Sequence, residues 1–408
     1  MAEKKPHCGG FCRYKARDDK KEKAQAFCGP VVRPDTLAFF LLSSHSIIQG
    51  VMIRAVFLSF EMPETNDKRK VVYLLGAGAT HAEMVNAVPR LASDETLQRR
   101  IGLLTSHLSA RVMRSARLNA NFVKDLEFLE PPRKQEPVGA AKGVTGAMNI
   151  ELLISLIENS KARGWEQKAR ILKLLVRRDI EARLQQRKAR FYLHSALLEM
   201  QQKSEDERLI GIISLNYDDV LDEAYKEVYR KTRLDYCVSL DAAARASQEV
   251  PVLKLHGSFN WRRGLTVRGR KRRIDIIPLG SNKNYLHAPY NFIWTRALEV
   301  LVECDSLRVI GCSLSQNDTH LVDLLFKAHL EKPPDKMKSF EIEIISGESA
   351  GRAIRDNYGF FPGVKTQQGE SLNPFLTWLM SRADRIPADT IKGTRHLKKL
   401  KIAGLSKG

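Results

Sequence analysis

The sequence predicts an α/β protein, a doubly wound parallel sheet with a helical insertion between its first and second strands. Three observations predict it. From residue 70 onward, strand-like apolar runs alternate with helical patterns. Four of those runs end on small or polar residues: VVYLLGAGATHAEM (71–84), IISLNYDDVLDEAY (212–225), VPVLKLHGSFNW (250–261) and LRVIGCSLSQNDTHL (307–321). Between the first and the second lies a long stretch, about 95–205, of helical pattern. In a parallel sheet ligands collect outside the carboxyl ends of the strands, so the endings of these runs are where chemistry is expected.

Val71 to Leu75 is uninterrupted and apolar, as a strand covered on both faces requires. Residues 95–130 place Leu97, Ile101, Leu104 and Leu108 at helical spacing, and Pro131-Pro132 stops that pattern ahead of a Pro/Gly-rich loop reaching Gly146. NIELLISLIENS then reads as an amphipathic helix, followed by a long charged helical segment from about Glu166 to Gln202. Further strands are expected at 211–215, 251–255, 307–311 and 340–346, with helices between and after them. This is a Rossmann-like order of elements. No internal repeat interrupts it.

The 408 residues, 43% hydrophobic and 28% charged, can bury a large core and exclude a disordered chain. The expected organisation is a poorly attached extension over 1–61, with translation starting at Met62, a main domain over 62–383 and a basic tail over 384–408. Residues 37–60 are apolar, but His45, Gln49 and Arg54 interrupt them, which argues against a membrane span. The six cysteines form no CxxC pair, so neither a zinc ribbon nor a disulfide framework is indicated, and a reducing cytoplasm fits. His7, Cys8, Cys12 and Cys28 match no standard zinc spacing. A net charge of +20 favours acidic partners: nucleotides, nucleic acid or anionic surfaces.

The run endings carry the candidate site. Gly76-Ala77-Gly78-Ala79-Thr80 lets the backbone approach a ligand and opens a helix whose N-terminal amides suit a phosphate, although the full GxGxxG fingerprint is missing and glycines after strands also serve plain packing. Asn216, Tyr217, Asp218 and Asp219 put an amide and two carboxylates where a helix begins, and Asp219 reads as its cap. His256 stands at a strand end beside Gly257, a better place for a working histidine than most. Gly311, Ser313 and Asp318 close the fourth run, where the competing reading of Asp318 is a helix cap.

Taken in order, GAGAT, LNYDD, KLHGS and GCSLSQNDTH resemble the Sir2-like family, and more closely its divergent NAD-consuming branch found in bacterial antiphage effectors. The likeness spans roughly Val71 to Ser346. It departs from the lysine deacylases of that family: RRGLTVRGRKRR (262–273) stands where their four-cysteine zinc module would be, and the GIPxFR stretch is missing. The resemblance implies NAD as substrate, no zinc, and cleavage of the nicotinamide–ribose bond with water as acceptor. On the same grounds Asn216, His256 and Asp218 are expected to be catalytic. Gly76, Ala77, Gly78, Thr80, Gly311, Ser313 and Asp318 are expected to bind the dinucleotide. Expected partners are a separate sensor or activator protein, further copies of the chain in a homo-oligomer, and nucleic acid on the basic stretches 161–190 and Arg262–Arg273. The readings that compete with hydrolysis are a non-catalytic NAD or ADP-ribose sensor and a nucleic-acid-associated subunit.

Overall fold

The computed structural model describes residues 68–117, 149–160, 164–186, 191–231, 234–238, 250–263, 265–267, 270–272, 276, 285–314, 318–358, 364–366 and 373–383. The expectations placed on 1–61, on the Pro131-Pro132 loop and on the basic tail lie outside them.

Among the described residues the strands β1 (Arg69–Leu75), β2 (Glu207–Ser214), β3 (Val252–Lys254), β6 (Ser306–Ile310), β7 (Glu341–Ile345) and β8 (Val364–Thr366) form one sheet in the order β3-β2-β1-β6-β7-β8. Every pairing in it is parallel. The order reverses between β1 and β6, so a crevice opens where the connections that follow these two strands run to opposite sides of the sheet. A separate antiparallel hairpin, β4 (Leu265–Val267) with β5 (Arg270–Arg272), occupies the basic run that the sequence reading left without structure.

Alternation along β1 assigns its side chains to two cores. Val72 and Leu74 join Ile213, Val309 and Ile344 beneath α8 (Tyr290–Glu303) and α9 (Thr319–Glu331). Val71, Tyr73 and Leu75 join Ile212, Ile310 and Ile345 on the other face, beneath α6 (Tyr192–Lys203), α7 (Val220–Tyr229) and α12 (Pro374–Ala383). All five residues from Val71 to Leu75 are buried, which is why this run shows no polar alternation.

The insertion follows α1 (Ala77–Ala87) and contains α2 (Glu95–Ile101), α3 (Thr105–Arg117), α4 (Ile150–Asn159), α5 (Trp165–Gln186) and α6. The leucine spacing across 97–108 is not one helix. Gly102 turns extended, at φ −61 and ψ 148, and ends α2 before Leu104. The charged segment 166–202 likewise divides into α5 and α6, with Phe191 outside helical geometry before α6. Asp94 caps α2 by accepting the Leu97 N–H at 2.9 Å, and Asn149 caps α4 by accepting that of Glu151 at 2.9 Å. The insertion has its own apolar core, which also takes in Tyr217 and Phe259 from the strand exits. Burial of two aromatic rings there contributes on the order of 2 kcal/mol each. The remaining helices, α10 (Pro334–Ser339) and α11 (Glu348–Asn357), flank β7. No described helix is long and apolar enough to cross a membrane.

Candidate functional site

The exits of β1 and β6 meet at backbone distance. Gly76 N–H donates to Ile310 O at 3.0 Å, Gly78 N–H to Gly311 O at 2.7 Å, and Gly311 N–H to Ile345 O at 2.9 Å. Gly311 has φ +60, and a Cβ there would lie 2.1 Å from Ala79 N. On Gly76 or Gly78 it would lie 2.7 Å from Gly311 O. These three glycines therefore permit two strand ends to cross in contact. The Gly78 amide is committed to that crossing. Helix α1 starts at Ala77 with no side-chain cap on Gly76, so its amino terminus faces the crevice uncapped by a side chain.

The exits of β2 and β3 are organised by side chains instead. Asn216 donates to Gly76 O at 2.9 Å and to Thr80 Oγ1 at 3.0 Å. A carbonyl can only accept, so the Asn216 nitrogen must face it, and both amide protons are used. Thr80 passes its own proton to Asp218, 3.1 Å from Oδ2. Asp218 Oδ1 accepts Val220 N–H at 3.1 Å, capping α7. The capping assignment thus moves by one residue: Asp219 occupies the cap position but makes no side-chain cap bond. Thr80 lines the crevice, yet its hydroxyl ties Asn216 to Asp218.

His256 follows β3 and is buried, with Nε2 3.1 Å from Asp318 Oδ2. Asp318 Oδ1 accepts Leu321 N–H at 3.3 Å, so the residue is both the cap of α9 and the neighbour of His256. Two residues before His256, the fully buried Lys254 clamps both exits. Its ammonium donates to the Asp218 carbonyl, to Ser258 Oγ at 2.9 Å and to Asp222 Oδ2 at 2.7 Å. Asp222 also accepts from the Tyr236 hydroxyl and from Asn260 Nδ2 at 3.2 Å. Burial by itself would raise the Asp222 carboxyl, but Lys254 and these donors hold it below the usual carboxylate range.

The glycine crossing, Asn216, Asp218, His256 and Asp318 border one cavity of about 540 Å³, with the Lys254–Asp222 pair behind its wall. Its lining includes each residue singled out from the sequence: Asn216, Asp218, His256, Gly76, Ala77, Gly78, Thr80, Gly311, Ser313 and Asp318. Among the other lining residues, four matter to the site and had been given no role from the sequence. Asn373 lines the cavity, donates to Ala82 O at 3.0 Å and caps α12, and Asn before Pro was a legible helix start. Tyr217 and Glu151 line it too, and no local pattern marked Glu151. His81 accepts Leu103 N–H on Nδ1 at 3.3 Å, and burial pushes its imidazole down to about 4, so it is neutral at pH 7 with its proton on Nε2. The acidic side chains of the wall are Asp218, Asp318 and Glu151, all buried, and none of its described residues is Lys or Arg. Among the described residues no cluster of three or more His, Cys, Asp or Glu is placed to hold a metal ion.

Residues 211–338 match the model of the SIR2-like domain. The likeness to that domain is confined to this segment, about a third of the chain. The matched segment runs from within β2 into α10 and contains Asn216, Asp218, His256, Gly311, Ser313 and Asp318, whereas the β1 exit and the insertion precede it. No curated protein sequence matches the chain. Solved structures align loosely. One, described under the structural basis for the mechanism and regulation of Sir2 enzymes, covers 83% of this chain and 95% of its own at 11% identity and a TM-score of 0.27. A Sir2 homologue mutant in complex with ADP-ribose covers 84% and 96% at 13% identity and a TM-score of 0.32. A Sir2 homolog–NAD complex covers 82% and 91% at 10% identity and a TM-score of 0.29. The ligands named with them are those proteins' own.

Proposed function

We propose that the chain is an NAD⁺ glycohydrolase that cleaves NAD to nicotinamide and ADP-ribose, acting as a defence effector in the bacterial cytoplasm. The observation that carries this reading is the convergence of Asn216, Asp218 and His256 with the glycine crossing of β1 and β6 on one cavity, at the point where the strand order reverses. A cavity of about 540 Å³ falls within the usual range for a small-molecule site.

In the reaction the bond between ribose C1′ and the pyridinium nitrogen breaks, its electron pair leaving with neutral nicotinamide. Water adds to C1′ and surrenders a proton. The leaving group is already cationic, so positioning and charge stabilisation supply most of the acceleration. Asn216 spends both amide protons on the protein, which leaves its oxygen as the atom that meets substrate or water. His256 takes the proton from the water or a ribose hydroxyl, and Asp318 beside Nε2 favours the charged ring that results. Asp218 lies across the cavity wall as a carboxylate for the developing ribosyl cation. The uncapped start of α1 supports the pyrophosphate.

The test is nicotinamide release by the full chain incubated with NAD, alongside His256→Ala and Asn216→Ala. Release that falls at least about a hundredfold in both variants supports the reading, in line with the loss of a positioned proton acceptor. A folded, unmutated chain that is stabilised by NAD yet releases no nicotinamide overturns it in favour of a sensor. NAD levels in cells with and without phage challenge then test the defence role.

A further inference from the structure

The insertion does not stand apart from the strand exits. Its core, with Leu108, Val112, Leu153 and Leu172, is completed by Tyr217 and Phe259, which belong to the two exits that carry Asn216, Asp218 and His256. The Tyr217 ring lies 5.7 Å from that of Phe259 and 6.2 Å from that of His256. Its carbonyl accepts Phe259 N–H at 2.9 Å and Ser258 Oγ–H at 3.2 Å, so Tyr217 joins the β2 exit to the β3 exit. On the other side, the start of α4 is pinned: Ile150 N–H donates to Ser109 Oγ at 3.0 Å, and Asn149 caps Glu151. From this pinned turn Glu151, only 8% exposed, reaches the cavity wall, where its carboxyl group lies beside the Tyr217 hydroxyl. A buried carboxylate is costly unless it is well bonded, and here it is placed beside a residue that joins the two exits.

We propose that Glu151 is a further positioning residue of this site: through the Tyr217 hydroxyl, the insertion holds the strand exit that carries Asn216 and Asp218. The site is therefore assembled from two parts of the chain, the sheet and the insertion, and is competent only when they are docked. The kinetic consequences rest on the hydrolase reading; the structural ones do not.

The experiment compares Glu151→Ala, Glu151→Gln, Tyr217→Phe and the Glu151→Ala/Tyr217→Phe double variant in the full chain. The glutamine keeps an oxygen that accepts the hydroxyl, and the phenylalanine removes one atom, so both keep the volume of the site. Glu151→Ala and Tyr217→Phe are expected to lower kcat by about 10- to 100-fold with KM changed less than about threefold, and Glu151→Gln to stay within about threefold of the unmutated chain. The double variant is expected to be no slower than the worse single one. Hydrogen exchange of residues 214–220 is expected to quicken in Glu151→Ala and Tyr217→Phe and not in Glu151→Gln. Additive losses, an equal loss in Glu151→Gln, or unaltered exchange over 214–220 in Tyr217→Phe would each overturn the proposal. Should the unmutated chain release no nicotinamide, the hydrolase reading fails, and the exchange measurement still decides this one.

Discussion

The two halves of the site are built on opposite principles. At the β1 and β6 exits nothing but backbone fits: Gly76, Gly78 and Gly311 are close enough that any added carbon collides. At the β2 and β3 exits the space is filled by a satisfied polar network running from Thr80 through Asn216 and Asp218 to Lys254 and Asp222. The first half tolerates no side chain; the second depends on several in agreement. A crossing of backbones sets where the crevice is, and the network sets what faces into it.

The sharpest way to break this contrast is Gly311→Ala. It forces a left-handed backbone on a residue with a Cβ and sets that carbon 2.1 Å from Ala79 N. The expected result is a loss of about 4 kcal/mol or more, or no folded protein, read from urea unfolding. A mild effect would mean that the two exits can separate and that the crossing is not rigid.

Next in size is Lys254→Met, which leaves the Asp222 carboxylate buried without its cation and is expected to cost about 3–5 kcal/mol. Its pH dependence sharpens the point. Asp222 titrates below the ordinary carboxylate range in the folded chain. The stability it contributes is therefore complete above the unfolded value of about 4 and is lost as the pH falls through the lower folded value. In Lys254→Met the sign reverses: burial alone raises the carboxyl, so lowering the pH toward 4 relieves the variant, whereas the parent keeps the Asp222 contribution down to about pH 4 and loses it only below that. Urea midpoints at about pH 7, 4 and 3 check both slopes, and parallel slopes would remove Lys254 from its role as the clamp.

The smallest effect on the fold, with a clear one on turnover, is expected of Thr80→Val. It keeps the shape and deletes the hydroxyl between Asn216 and Asp218, which at about 1–3 kcal/mol corresponds to roughly a 10- to 100-fold loss of kcat. Thr80→Ser is expected to restore most of it. Equal rates for valine and serine would show that the half built on side chains does not need this link.

Much of this is legible in the sequence. The β1 run, the Asn216–Asp218 cluster, His256 beside Gly257 and the Gly311–Asp318 ending each lie next to a strand or at a helix start, where local pattern reports position. What stayed hidden depended on separation in the chain. Glu151 meets Tyr217 from a helix with no sequence mark of its own, and Lys254 looked like one polar residue in an apolar run. Gly102 was passed over because leucines on both sides keep helical spacing through the break, and β8 was too short to register.

By itself the sequence determined the parallel α/β sheet, the place of the insertion and ten of the residues that border the cavity, because these follow from periodicity and from what a strand end can carry. Only the tertiary structure decided how those residues are used. It showed that the glycines are there for a strand crossing, that Thr80 is a link between Asn216 and Asp218, that Asp318 neighbours His256, and that the insertion supplies Glu151. Side-chain partnership depends on distances between segments far apart in the chain, and those distances exist only once the sheet has brought its strand ends together.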